Sequence, residues 1–407
     1  MRWRTAPEVV VAVALAVTAG CGTSDSTTGT EPEVDTTAVP DANVEGFEWT
    51  QAIVDIGLMG GGTVPLGEGF IGVRVDPDKV MGSDPHFGAI AGMTVVTSPD
   101  GSTWTDASGV GAAEQEAVHW VDGGPWGAVG YVATMEDEES PPTELIFTTD
   151  GAEFARSTPP AQLTGLDGTV GILRAACAES GIVVLVGVMG PQGVEGAAAL
   201  FSSDMQTWEP VDLDVPEGWE LMRVTGSPAG FLLTGEVPGP AGSGSVPGFV
   251  SVDGRDWQPF SLPEPDAVVV SQTGWRDGFA VVTREPAQLL ASPDGLEWDE
   301  MAGQPLADIE GAGLTGSSLG VLAFGWPSMS GEQAPDDHSA GPVGPVLVFT
   351  GDGQTWNRWS DAAPFMTPDL YPEGIVLGEE AVLVHVLTES DGPPTQTELW
   401  IGTPTQS

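Results

Sequence analysis

A short corner is written six times into this chain. It reads SPDGSTW at residues 98–104, TTDGAEF at 148–154, SSDMQTW at 202–208, SVDGRDW at 251–257, SPDGLEW at 292–298 and TGDGQTW at 350–356. The aspartates, Asp100, Asp150, Asp204, Asp253, Asp294 and Asp352, are 50, 54, 49, 41 and 58 residues apart. A period of this size belongs to stacked or ring-shaped repeat folds, in which each unit covers the apolar face of the next.

Local chemistry says what each unit contains. Asp-Gly turns the chain because glycine takes a positive φ without strain. The Ser or Thr and the Asp side chains bond turn amides that no strand ladder reaches. A β-rich apolar run precedes every corner: MTVVT, ELIFT, AALFS, PGFVS, AQLLA and PVLVF. The aromatic after the turn opens the returning strand, where its ring packs against a neighbouring unit. Further upstream lies an apolar strand, seven in all: GFIGVRV, WGAVGYV, GIVVLVG, GFLLTGE, GFAVVTR, LGVLAFG and EAVLVHV. A shorter strand stands before each, such as AVHWVDG or ELMRVTG. Four short antiparallel strands per unit is the content of a propeller blade, and helical periodicity is absent after residue 21.

Seven central strands against six corners leaves one corner missing, and the ends of the chain supply it. TELWIGTPTQS at residues 397–407 is the strand before a corner, and GFEWTQ at 46–51 carries the aromatic after one, Trp49. Joined, they complete a blade. The sequence therefore predicts an all-β, seven-bladed β-propeller of four-stranded antiparallel blades over residues 46–407, closed by pairing the N- and C-terminal strands so that no sheet edge is left open there.

Ahead of this lies an address. Arg2 and Arg4 precede an apolar run at 9–20, too short for the ~20 residues that span a bilayer and matching the core of a secretory signal over residues 1–20. It ends Thr18-Ala19-Gly20-Cys21, similar to a bacterial lipobox with Thr18 where leucine is usual. Acylation at Cys21 would anchor the chain, each buried CH₂ contributing about 0.8 kcal/mol. An ordinary signal peptide with a chance cysteine is the other reading. Residues 21–45, Ser/Thr- and acid-rich, bury too little to fold and read as a disordered tether. The expected location is the cell envelope, on the extracytoplasmic face, with the membrane met through the lipid.

The charge is lopsided: 59 acids against 11 basic residues, a formal −48 over 407 residues, with Lys79 the one lysine. Nucleic acid and anionic lipid surfaces are repelled by such a chain. The second cysteine, Cys177, sits in an apolar run and reads as a buried free thiol.

The corners resemble the Asp-box, or BNR, repeat of sialidases and other secreted propellers, one residue shorter than the usual spacing. The resemblance implies that the six aspartates are structural and lie on the outer part of the ring, away from the active face. Sialidase chemistry would need three arginines on a substrate carboxylate, a Tyr–Glu nucleophile pair and an acid. Here the folded part holds Arg74, Arg156, Arg174, Arg223, Arg255, Arg276, Arg284 and Arg358, with only Tyr131 and Tyr371. Arg255 lies inside a corner, and Arg156 and Arg358 just after one. Sialidase propellers also have six blades. The expected function is thus a monomeric binding or scaffolding module for a protein or glycan, with a sialidase-like glycoside hydrolase or other glycan-processing enzyme as the alternative. The resemblance also offers an envelope assembly factor.

Function would sit opposite the corners, on loops between second and third strands. The loops with Asp84 and His86, with Glu136 to Glu139, with Asp336, Asp337 and His338, and with Glu389 and Asp391 belong to blades adjacent on the ring. They form a raised acidic rim for a partner. Asp84, His86, Asp337 and His338 could alternatively hold a cation through oxygen and imidazole. His119 and His385 fall inside strands, as packed residues. No Ser-His-Asp, P-loop, zinc or dinucleotide motif occurs, so no cofactor is expected.

Overall fold

The computed structural model describes residues 36–37, 43–44, 47–52 and most of 62–405. Residues 1–35, the longer internal segments 53–61, 76–79, 82–88, 108–115, 135–141, 237–247, 328–345, 366–369 and 389–396, and some shorter stretches lie outside the described residues. Seven blade sheets of antiparallel strands follow one another along the chain, as the repeat predicts, and Val80–Met81 pairs with Ala89–Ile90 as an eighth, two-stranded sheet. Blade 1 is Val64–Leu66, Gly69–Val75, Met93–Ser98 and Thr105–Asp106. Blade 2 is Glu116–Gly124, Gly127–Thr134, Glu144–Thr148 and Ala155–Ser157; blade 3 is Val170–Ala178, Gly181–Gly190, Gly193–Ser202 and Glu209–Pro210. Blade 4 is Glu220–Ser227, Gly230–Glu236, Gly248–Ser251 and Gln258–Phe260; blade 5 is Val268–Trp275, Gly278–Arg284, Gln288–Ser292 and Asp299–Glu300. Blade 6 is Ile309–Gly316, Val321–Pro327, Val346–Thr350 and Asn357–Arg358.

Blade 7 is stitched from both ends. Leu370–Leu377, Val382–Thr388 and Thr397–Pro404 are joined by Phe47–Ala52, which pairs from Phe47↔Pro404 through Trp49↔Gly402 to Ala52↔Leu399. Two further two-residue strands, Thr36–Thr37 and Asn43–Val44, pair with Phe47–Ala52 from within the segment read as a tether. The seam is packed with rings. Phe47 meets Phe349 edge-on at 5.0 Å between centroids, and Trp49 meets Trp359 at 5.2 Å and Phe365 at 4.8 Å. Phe349 and Trp359 come from blade 6, so closing blade 7 also packs it on its neighbour.

Burial follows the alternation of each strand. In blade 7, Val382, Val384 and Val386 face blade 6, while Leu383 faces blade 1 beside Phe70 and Val96. The same holds around the ring, so each core is an interface between two blades. Among the described residues no helix is long and apolar enough to cross a membrane.

Trp49 is buried, at 1% exposure. Trp49→Ala should cost about 3–5 kcal/mol of stability in a denaturant titration. Trp257→Ala should cost less, because that indole is only half-buried.

Candidate functional site: the inner strands and the face opposite the corners

The six corners are alike and self-contained. In five, the N–H of the glycine donates to the Ser or Thr hydroxyl, at 2.7–2.9 Å. In all six, one carboxylate oxygen accepts from the amides two and three residues on, at 2.7–3.2 Å. These donors hold the carboxyls of Asp150, Asp204, Asp294 and Asp352 below the usual range, Asp352 to about 2. At Asp100 and Asp253 burial pushes upward and the same amides outweigh it. The ring nitrogens finish the lock. Those of Trp104, Trp257 and Trp298 donate to their own turns, and those of Trp208 and Trp356 reach the preceding blade, at Ser157 Oγ and the Ala302 carbonyl. At the third corner Met205 takes φ +62°, where the others place glycine at +72° to +79°, and its side chain is buried against blade 2.

The aspartates thus stand one per blade, spent on turn amides, and are not brought together. Cys21, Asp84, His86, Asp336, Asp337 and His338 lie outside the described residues, as do Glu136 to Glu139, Glu389 and Asp391. Among the described residues no three His, Cys, Asp or Glu side chains group to hold a metal. The arginines are dispersed. Arg74 pairs with Asp106 at 2.7 Å, Arg156 with Glu144 at 3.1 Å, and Arg255 binds Glu209 through two nitrogens while lying over the Phe201 ring. Arg276 lies over Trp275 and donates to the Gly351 carbonyl.

The first strands carry a second regularity. Those of blades 2 to 7 each carry a register shift, between Trp120 and Asp122, Ile172 and Arg174, Leu221 and Arg223, Val269 and Ser271, Glu310 and Gly313, and Pro372 and Gly374. Such bulges re-aim a side chain. The first strand is also an edge, with amides that its own sheet leaves unpaired. Side chains of the preceding blade accept several of them: Asp122 from Cys177 N at 2.9 Å, Ser271 from Leu314 N at 2.9 Å, Thr315 from Leu377 N at 3.4 Å. Backbones meet there too. A Cβ on Gly226 would lie 1.8 Å from the Cys177 carbonyl oxygen, and one on Gly274 would lie 2.4 Å from that of Gly226.

Asp122 is the group that motif reading misses. Burial pushes its carboxyl up to about 7, against amides of Cys177, Gly123 and Gly226 that favour ionisation. Donors from blades 3 and 4 converge on an acid of blade 2, at the end where the first strands crowd together. Cys177 is a buried free thiol, as expected, with its Sγ 3.4 Å from the Gly127 carbonyl oxygen.

At the opposite end blades 2 and 3 spread. A cleft of about 420 Å³ lies between them, lined by Thr143, Thr158, Pro159, Pro160, Val170 and Ile172 among others. On the same side of blade 2, His119 stacks on Tyr131, with centroids 5.2 Å apart. Burial lowers the His119 pKa, and it raises that of Tyr131 against the nearby charge of Arg174. His385 is wholly buried between blades 7 and 1, with neither ring nitrogen hydrogen-bonded among the described residues, and its pKa is driven down to about 4.

Neither a protein-family model nor a curated protein matches the chain. Solved structures do. The β-propeller domain of the trilobed protease from Pyrococcus furiosus aligns at 11% identity and TM-score 0.49, covering 86% of this chain and 98% of that one. YCF48 bound to a D1 peptide aligns at 15% and 0.47, covering 91% and 100%. The Trypanosoma rangeli sialidase aligns at 11% and 0.37, covering 87% and 56%. All three TM-scores lie below 0.5, and the propeller is established by the chain's own sheets.

The two buried titrating groups act in opposite directions. Asp122 ionises more readily in the unfolded chain, so its contribution to stability falls as pH rises from about 4 to 7. His385 protonates more readily when unfolded, so its contribution falls as pH drops from about 6.5 to 4. Asp122→Asn should remove the first trend from denaturation midpoints measured across pH 4–8. His385→Leu should stabilise by about 1–3 kcal/mol at neutral pH, and by more at pH 5.

Proposed function

We propose that this chain is a lipid-anchored, extracytoplasmic propeller that binds or scaffolds a protein or glycan partner on the face opposite its corners. One observation carries the reading. The corner is alike in six blades and its polar groups are consumed internally, whereas a cleft opens between blades 2 and 3 at the opposite end, where the sequence also puts its most variable connections between second and third strands. A rigid ring with variable loops on one side is a platform for recognition. The alternative of a sialidase-like or other glycan-processing enzyme is not favoured. Clamping a substrate carboxylate needs converging arginines, and Arg156, Arg255 and Arg276 are instead engaged on an outer strand and at corners, while Arg74, on a second strand, is paired with Asp106.

The lipobox-like Cys21 supports anchoring, and the net charge of −48 supports a partner that is neither nucleic acid nor anionic lipid. Cys21→Ala should move the protein from the membrane pellet to the soluble fraction; retention in the pellet would overturn the anchor. Replacing residues 328–345 by a short Gly-Ser linker should leave the melting temperature unchanged and abolish partner cross-linking in intact cells. Unchanged cross-links, or turnover of a fluorogenic sialoside, would overturn the binding reading.

A further inference from the structure

Six of the seven interfaces between blades are bridged by hydrogen bonds. Gly67 N donates to the Gly124 carbonyl between blades 1 and 2, Cys177 N to Asp122 between blades 2 and 3, and Arg255 to Glu209 between blades 3 and 4. Thr234 Oγ1 donates to Gln272 Oε1 between blades 4 and 5, Leu314 N to Ser271 between blades 5 and 6, and Ser317 Oγ to the Gly378 carbonyl between blades 6 and 7. Among the described residues no hydrogen bond joins blade 7 to blade 1. What holds that interface is apolar: Val376, Leu383 and Leu399 of blade 7 pack on Phe70 and Val96 of blade 1. The first strand of blade 1, Val64–Leu66, has three residues where the others have eight or nine, so the inner edge here is also the shortest described.

His385 lies in this interface. In blades 3 to 6 the residue opposite the first one past the bulge is Leu185, Thr234, Val282 or Phe324, and in blade 7 it is His385. Thr234 is polar too, but it has Gln272 to bond. Counted back from the hairpin, Thr63 of blade 1 stands where Gln272 does in blade 5. Yet the Thr63 hydroxyl and both imidazole nitrogens are buried with no hydrogen-bond partner among the described residues. A neutral ring tolerates this better than an imidazolium, because a buried charge needs a counter-ion. Among the described residues no acid is placed to supply one. By alternation Arg74 and Asp106 face this side, and they pair with each other at 2.7 Å. Glu48 is exposed and lies four residues along its strand from Ala52, which shares a row with Leu399 and His385. Glu398 is on the blade 6 side with Trp400, whose ring nitrogen donates to it. Val64–Leu66, Met93–Ser98 and the rest of Val382–Thr388 bring no titratable side chain, and the side chains of Tyr371 and Glu373 lie outside the described residues.

We propose that the blade 7–1 interface is an acid-operated gate, opened by protonation of His385 while the other six interfaces stay shut. Burial lowers the pKa of this ring to about 4, and an opened interface returns it toward 6.5. The closed form therefore loses ground as pH falls from about 6.5 to 4. The rest of the ring moves the other way. With 59 acids against 11 basic residues, protonating surface carboxylates relieves self-repulsion. Acid thus tightens the molecule and loosens one joint. Opening that joint uncovers the apolar strip of Phe70, Val96, Leu383 and Leu399. The gate stands independently of the partner reading given above.

Hydrogen exchange followed by mass spectrometry at pH 7 and pH 5, with intrinsic rates corrected for pH, tests this. Exchange in Gly69–Val75 and Val382–Thr388 should rise about tenfold or more at the lower pH, while Gly181–Gly190 and Gly278–Arg284 hold or gain protection. His385→Leu and His385→Phe should each abolish the rise, and either one suffices if the other fails to fold. His119→Phe, which removes the half-buried imidazole of blade 2, should leave the rise intact. An even rise across all blades, no rise in the wild-type protein, a rise that persists without His385, or one that is lost with His119 would overturn the proposal.

Discussion

Everything in this molecule rests on one non-covalent joint. Six of the seven sheets are continuous in sequence, but the seventh takes its outer strand from the other end of the chain. Without Phe47–Ala52 on Thr397–Pro404, blade 7 would present an unpaired edge, and Phe47 and Trp49 would lose the rings of blade 6. Backbone pairing sets the register, and aromatic packing makes it worth holding. Trp49 beside Trp359 and Phe365 turns a strand addition into a piece of core. Because each core is shared between two blades, a fault at the seam is felt by both neighbours.

Repetition and departure divide the labour. The corners repeat because they solve a local problem, satisfying turn amides with one hydroxyl and one carboxylate. The first strands depart because their problem is collective: strand edges crowd together and must satisfy their amides without closing the ring too tightly. Asp122, Ser271 and Thr315 each answer this differently, by accepting from the next blade. Chemistry that varies from blade to blade is where a repeat fold acquires individuality.

How much of this was legible follows the range of the interactions. The corners, the count of seven and the seam could be read because Asp-Gly turns, apolar runs and a missing aromatic are local signals. The bulges could not, since a one-residue slip between Trp120 and Asp122 leaves no mark in composition. Nor could the convergence of Cys177 and Gly226 amides on Asp122, which joins residues far apart in the chain. Met205 at a glycine position is legible as an anomaly, but its burial against blade 2 is not.

The stitched blade has a mechanical side. Tension on the chain ahead of residue 36 is met first by the pairings of Thr36–Thr37 and Asn43–Val44 with Phe47–Ala52, and only past them does it run along that strand, parallel to its length. The rungs that tie it to Thr397–Pro404 then bear the load together in shear, rather than parting one at a time like a zip. A ring held at this point resists pulling with its whole seam, and the indole of Trp49, wedged between blades, works as the cleat.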